Sequence, residues 1–378
     1  MKVFQISYYH EFQCLAQQCP DCCCRGWRIP LSDEDEKRYR AEKGWLWFRL
    51  RAATHGDEAL RFFNDRCVRC PFLTGKGLCY LQKQKGHEYL PETCRLYPRS
   101  VIRHLDHTEY HLDLSCVHAA ALFIRNRCAQ ELVETEVPAG SGEEPETYGN
   151  NEDADYLQEL LSCRAQILDL LRGADSVNAL NDVLNRLSVF TETVQSRTLL
   201  SGKSVLRTER IPGDVAGKRA LFPLPIGVLN DFLSTEFYES SLRKRAPFLY
   251  RLCRMYFRRF DRLDYRQGQA LLDEMLKRCE EEGAGEATFC ADYFISLILR
   301  HFSECFEDYS MYLHFEDALI AVNLVLLFRL LYRDRYGDLS DQTQAGILSC
   351  VEKRFFHNEK VRKLLKTSLT DGAKQGYI

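Results

Sequence analysis

The placement of cysteine constrains this chain more than any other feature. Seventeen cysteines occur in 378 residues, and eleven of them fall within the first 128, at positions 14, 19, 22, 23, 24, 67, 70, 79, 94, 116 and 128. An odd total argues against a fully paired disulfide scaffold. The opening MKVFQISYYHEFQ mixes Lys2, Gln5, His10 and Glu11 where a signal peptide needs an unbroken apolar stretch, so a cytoplasmic location is expected. In that reducing compartment a thiol framework serves metal binding or redox chemistry rather than cystine bridges. No single buried face of a helix or strand accommodates Cys22, Cys23 and Cys24 together, so packing alone does not account for them.

The spacing runs Cys14-x4-Cys19-x2-Cys22-Cys23-Cys24, then Cys67-x2-Cys70-Pro71, Gly77-Leu78-Cys79, Cys94 before Arg95, and Cys116 after Ser115. Gly and Pro beside the thiols allow the tight turns with which a backbone approaches a metal, and zinc takes thiolates at about 2.3 Å. Two pairs, Cys19/Cys22 and Cys67/Cys70, suggest a four-thiolate zinc site, but they lie further apart than in a zinc ribbon. They also leave Cys23, Cys24, Cys79, Cys94 and Cys116 unused. A soft environment with more than four thiolates suits iron–sulfur better. The three-cysteine radical signature spaced x3 then x2 is absent, because Gly26 stands where its third cysteine belongs. Later cysteines (Cys163, Cys253, Cys279, Cys290, Cys305 and Cys350) read as small buried hydrophobes on helical faces.

Composition sets the remaining bounds. With 45% hydrophobic residues the chain can bury a sizeable core. A net charge of −3, from 51 basic and 54 acidic residues, argues against a dedicated nucleic-acid or anionic-membrane binder. The longest apolar run, Ala318 to Phe328, is interrupted by Asn323 and falls short of the roughly 20 residues that cross a bilayer. We therefore expect a mainly α protein in three parts. Residues 1–130 form an irregular cysteine-rich metal-binding module, 131–156 an acidic linker and 157–378 an all-α helical domain. Within the module one helix is expected from Ser32 and another through Glu58 to Phe63. The linker assignment rests on nine acidic residues, no basic one and the stretch Pro138-Ala139-Gly140-Ser141-Gly142. Helical periodicity then marks Leu157 to Leu171, Val177 to Leu187, Phe248 to Phe260, Gln267 to Glu282, Ala291 to Phe306, Phe315 to Arg333 and Thr343 to Lys366. Arg251, Arg254, Arg258 and Arg262 form one basic stripe, read as a solvated face or as a docking surface for an acidic protein or nucleic acid, of which the balanced net charge favours protein.

The run from Phe12 to Trp27, with Cys14, Cys19, Asp21, Cys23, Cys24, Gly26 and Trp27, resembles the flagellin lysine N-methylase family and related cysteine-rich zinc- or iron-chelating domains. The likeness continues through Cys70-Pro71-Phe72-Leu73, Leu78-Cys79, Leu90-Pro91-x2-Cys94-x2-Tyr97-Pro98-Arg99 and Leu112-x-Leu114-Ser115-Cys116. It covers about the first third, and a weaker echo lies at Phe355-Phe356-His357-Asn358. The resemblance implies a protein-lysine N-methyltransferase that uses S-adenosylmethionine and acts on surface lysines of flagellin. It further implies an iron–sulfur cluster, with zinc as the alternative, and a ligand pool of Cys14, Cys19, Cys23, Cys24, Cys70, Cys79, Cys94 and Cys116. Cys22 and Cys67 depart from the family pattern, as spare thiols or alternative ligands.

Methylating a lysine needs the neutral amine, and an ordinary pKa of about 10.4 leaves little of it at neutral pH. A desolvated channel or a nearby proton acceptor supplies it. Tyr97, Tyr110 and Asp113 are the candidate catalytic residues. Arg95 and Arg99 are candidates to hold the carboxylate of S-adenosylmethionine bidentately. A strand-glycine-helix nucleotide loop is not visible, so no doubly wound methyltransferase domain is expected. Alternatives are a non-enzymatic, zinc- or cluster-stabilised protein-binding module and an electron-transfer relay.

Overall fold

A computed structural model describes residues 2–21, 23–25, 29–56, 61–63, 69–75, 77–137, 153–201, 204–218, 221–227, 229–230, 233–234, 242–283 and 285–357. In chain order its amino-terminal elements are β1 (Lys2–Ile6), β2 (Ile29–Leu31), α1 (Asp33–Arg40), α2 (Gly44–Ala53), β3 (Thr54–Gly56), β4 (Arg61–Phe63), α3 (Tyr80–Lys85) and α4 (Glu92–Leu96). They are followed by β5 (Arg99–His104), β6 (His107–Leu112), α5 (Val117–Asn126) and β7 (Leu132–Glu134). Helices then take over: α6 (Ala154–Arg172), α7 (Val177–Ser201), α8 (Leu242–Arg245), α9 (Pro247–Phe260), α10 (Tyr265–Glu281), α11 (Glu286–His301), the short turn α12 (Cys305–Asp308), α13 (Met311–Tyr336) and α14 (Asp341–Phe355). The protein is mainly α, as expected. The last expected helix is realised as α14 up to Phe355, and the rest of its range lies outside the described residues, as do Cys22, Trp27, Cys67 and residues 138–152 of the acidic stretch.

The amino-terminal segment carries two sheets that the periodicity did not announce. One has the order β5-β6-β1-β7, with β1 parallel to β6 and the other pairs antiparallel. A parallel neighbour requires a long crossover. Here the crossover is everything between Ile6 and His107, β5 included, so the sheet closes a loop that carries most of the early cysteines. Of the helix expected from Glu58 to Phe63, residues 58–60 lie outside the described residues and 61–63 form a strand of the second sheet, β2-β4-β3, instead: β4 pairs with β2 and β3, and Phe63 is buried under Tyr39 and Phe72. Ser32 does begin α1, through a capping box in which its hydroxyl accepts from Asp35 N–H and the Asp35 carboxylate accepts from Ser32 N–H.

Two cores result. The smaller gathers Ile29, Leu31, Tyr39, Leu50, Phe63, Phe72, Leu81 and Leu90 around the buried Cys70, with Cys24, Cys79 and Cys94 packed against it. The larger runs from Val3 and Ile6 through Leu114 and Phe123 to Leu348 and Phe355, so the β1 sheet and the helices share one apolar interior. At its centre lies α13, apolar on every side from Ala318 to Phe328 but for Asn323 and buried throughout that stretch, the signature of a core helix. No helix among the described residues is long and apolar enough to cross a membrane. Helix α14 packs on α5, where the Ser349 hydroxyl donates to the Ser115 carbonyl at 2.7 Å. That contact brings the carboxyl-terminal helix to the edge of the thiol cluster.

Candidate functional site

Local geometry around each thiol comes from short turns. Ala16 adopts a left-handed φ of 47° between Cys14 and Cys19, a conformation that costs a non-glycine residue of order 1–3 kcal/mol and tends to occur at functional sites. Gly77, at φ +76°, turns the chain before Cys79. The Thr74 and Leu78 backbones clasp across that turn, and the Leu78 N–H also donates to the Thr74 hydroxyl at 3.1 Å. The Cys70 N–H donates to the Cys24 carbonyl at 2.8 Å, joining the first cysteine run to the second. Cys94 lies in α4, whose start is tied to α1 by the Glu92 N–H donating to Asp35 at 2.9 Å.

These turns bring the thiols into two overlapping groups. Burial pushes the Cys94 thiol well above its ordinary pKa, and the thiols of Cys23, Cys70 and Cys79 together with Asp35 add to the shift. Cys19 is raised first by burial, with contributions from Asp21, Cys23 and Cys14. Burial raises Cys116 to about 11, and Cys19 lies within its electrostatic reach. Cys23 belongs to both groups, and none of the described cysteines is in a disulfide. Among the described residues no three of these sulfurs lie within 4.8 Å of one another, so closing them on one zinc ion would draw them in to roughly 3.8 Å.

A charged side chain from the far end of the chain reaches this cluster. Lys353 of α14 donates to the carboxylate of Asp21. Burial opposes its charge, yet Asp21 and the thiols of Cys23 and Cys116 hold its pKa above the ordinary value. Cys19, Asp21 and Lys353, with Arg25, Arg251 and Arg354, line a groove of about 660 Å³.

Beside the cluster is a polar network. The Tyr97 hydroxyl is 3.0 Å from the Ser115 hydroxyl, Ser115 N–H donates to Asp113 Oδ1 at 2.8 Å, and His357 Nε2 is 3.1 Å from both Asp113 Oδ2 and Ser115 Oγ. Burial alone would raise the Asp113 pKa, but the hydrogen bond and charge of His357, Arg300 and the Ser115 N–H outweigh it and hold the carboxyl far below its usual range. For His357 the Asp113 carboxylate overcomes burial and raises the pKa. Burial, reinforced by Asp113 and Cys116, pushes the Tyr97 phenol well up. Asp113 and His357 open on a cavity of about 250 Å³, whose polar lining includes Arg300, His301, Glu304 and Glu352. Arg300 grips Glu352 through two hydrogen bonds, of 3.1 and 2.6 Å.

Of the candidate catalytic residues, Tyr97 and Asp113 therefore come together, while Tyr110 sits inside β6 with its ring edge on Tyr9. Arg95 reaches the exposed Glu88 at 3.5 Å, and Arg99 donates to the Phe12 carbonyl at 3.1 Å and lies over the Tyr9 and Phe12 rings. Sequence reasoning passed over Ser115, His357, Lys353 and the Arg300–Glu352 pair. Two of them carry a sequence signal, since Ser115 and His357 lie in stretches that carry the family resemblance, Leu112-x-Leu114-Ser115-Cys116 and Phe355-Phe356-His357-Asn358. His301 stacks on Phe356, with ring centroids 4.7 Å apart, and its Nδ1 is 2.8 Å from Glu304. The arginines of the stripe on α9, at 251, 254 and 258, and Arg262 just beyond it are exposed.

The fold and its thiol cluster thus define a mainly α, cysteine-centred protein with a polar cavity beside the thiols. Among curated proteins the chain is similar, over 142 residues or 35% of its length, to the flagellar biosynthetic protein FliU of Salmonella muenchen, at 26% identity and across 82% of that protein. It is similar at 27% identity to proteins named lysine-N-methylase from Salmonella typhimurium and Salmonella choleraesuis, in each case across 35% of their length. The match thus spans about a third of the lysine-N-methylases. No family model matches the chain. No solved structure matches it either.

Proposed function

We propose that this protein is a protein-lysine N-methyltransferase of the flagellin lysine methylase type, cytoplasmic, with S-adenosylmethionine as methyl donor and flagellin or a related protein as substrate. The observation that carries the reading is its similarity to proteins named lysine-N-methylase, in a chain whose amino-terminal thiols draw together. An all-thiolate donor set packed around a small buried core fits an iron–sulfur cluster, which Cys23, Cys70, Cys79 and Cys94 would hold, with Cys14, Cys19, Cys24 and Cys116 close by. When bound, S-adenosylmethionine offers an electrophilic methyl carbon on sulfur. The chain's own residues act on the lysine. Asp113, kept ionised by His357, would anchor the incoming ammonium in the cavity, and its depressed pKa suits it to anchoring rather than to taking the proton, which would leave to water before the freed nitrogen lone pair takes the methyl group. The Tyr97 hydroxyl, kept neutral, holds Ser115 and through it the orientation of Asp113. In the wider groove Arg25, Arg251 and Arg354 offer the charge that the carboxylate of a methyl donor needs.

The test is transfer of label from methyl-labelled S-adenosylmethionine to flagellin, read as methyl-lysine after hydrolysis. The reading predicts label on lysine with release of S-adenosylhomocysteine. Absence of transfer by protein carrying its full complement of metal would overturn it.

A further inference from the structure

We propose that Cys305, Asp308 and His314 form a zinc-type metal site separate from the amino-terminal thiols. One ligand atom from each residue lies within 4.8 Å of the other two, a sulfur, an oxygen and a nitrogen together. The local backbone produces this convergence. Cys305 and Asp308 are the first and last residues of α12, one turn apart on the same face. Tyr309 then takes a left-handed φ of 53°, which turns the chain so that α13 starts at Met311 and its first turn presents His314 to Asp308, Nε2 to Oδ2 at 2.9 Å. For a bulky non-glycine residue that conformation is uncommon and costs of order 1–3 kcal/mol.

The chemistry of the three donors suits zinc, which accepts thiolate, imidazole and carboxylate together. Bonds of about 2.0 to 2.3 Å in a tetrahedron place ligand atoms roughly 3.3 to 3.6 Å apart. Closure therefore asks for side-chain shifts of about an ångström, with no change of fold. A carboxylate stands near the imidazole, outside hydrogen-bond reach until the site closes. Nδ1 of His314 is 4.0 Å from Glu304, whose other oxygen is 2.8 Å from His301 Nδ1, and ligating histidines commonly give their second ring N–H to such a group. On the far side Tyr156 stacks on Phe306 and Tyr309, and its hydroxyl donates to the Cys305 carbonyl at 3.0 Å, so the fully buried thiol has a dry wall behind it. Three protein ligands leave a fourth position. His314 and Glu304 line the cavity that also holds Asp113 and His357, so water or a small anion from that cavity fills it. The proposal does not depend on the methyltransferase reading.

The full-length protein, purified without oxygen, loaded with zinc and dialysed, tests it by metal content. Wild type should hold one more zinc per chain than Cys305→Ser, Asp308→Asn or His314→Ala, and Glu304→Gln should weaken that zinc about 10- to 100-fold. Exchange with cadmium-113 should give a resonance characteristic of one sulfur among nitrogen and oxygen ligands, resolved from all-sulfur signals and retained in Cys94→Ser. Should His314→Ala fail to fold, the near-isosteric Asp308→Asn and the wild-type cadmium spectrum decide the matter. Equal zinc in wild type and folded Asp308→Asn, or a cadmium spectrum without a one-sulfur resonance, would overturn the site.

Discussion

Glu109 sits in the middle of β6 with no exposure to solvent, held by Arg164 through bonds of 2.9 and 2.5 Å and by His107 and His111 at 2.6 and 3.1 Å. Burial by itself would favour the neutral acid, but the Arg164 charge and the three sets of hydrogen bonds hold its pKa well below the ordinary value. A depressed carboxyl contributes stability that is complete above the unfolded value of about 4.3 and is lost as pH falls through the folded one. Urea midpoints measured from pH 7 to pH 3 should therefore fall with acid in wild type, and Glu109→Gln should lack that part of the fall. At pH 7 Arg164→Met should cost about 3–5 kcal/mol, because it strands a buried charge. Parallel pH curves for wild type and Glu109→Gln would contradict this account. At the cavity, Asp113→Asn removes a charged hydrogen-bond acceptor worth about 1.5–3 kcal/mol. Methyl transfer should show KM for the protein substrate raised tenfold or more, with kcat changed less, whereas a loss confined to kcat would place Asp113 in the proton step instead.

Among the elements, α13 shows how a polar residue organises an apolar one. Asn323 is buried in its middle, accepts from the Leu224 N–H at 2.7 Å and donates to the Leu319 carbonyl at 2.9 Å, fastening the 221–226 segment to the helix. Asn323→Leu leaves that N–H unsatisfied and should lower stability by about 1–3 kcal/mol in urea unfolding. An unchanged midpoint would show that the segment is held by packing alone. The helices were legible because their apolar residues recur locally: Leu157, Leu160, Ile167 and Leu171 are all buried on one face of α6, and Gly173 caps it. The sheets were not. HTEYHL in β6 reads as polar, yet all six residues are buried, since Glu109 finds its arginine 55 positions later and Tyr110 pairs with Gln5 and Val101. Pairings so distant leave no local period. The candidate site divides in the same way. Cysteine spacing exposed the thiols, whereas Lys353 and His357 reach the site only because α14 packs against α5.

Across the whole molecule, the larger core joins the β1 sheet to the helices, while the smaller core has few buried side chains and four of its members are cysteines. A core of that size gains most from a bound metal. Chelation should therefore open residues 23–96 to protease well before α6–α14, with fragments mapped by mass. Uniform digestion would place the stabilising effect elsewhere. The central claim, that these thiols share a bound inorganic group, is met most directly by iron, sulfide and zinc analysis of anaerobically purified wild type beside Cys94→Ser and Cys79→Ser. The account predicts iron and sulfide in equal amounts in wild type and their loss in both variants. Wild-type protein that takes up neither iron with sulfide nor zinc at its amino-terminal thiols, or variants with wild-type metal content, would contradict it.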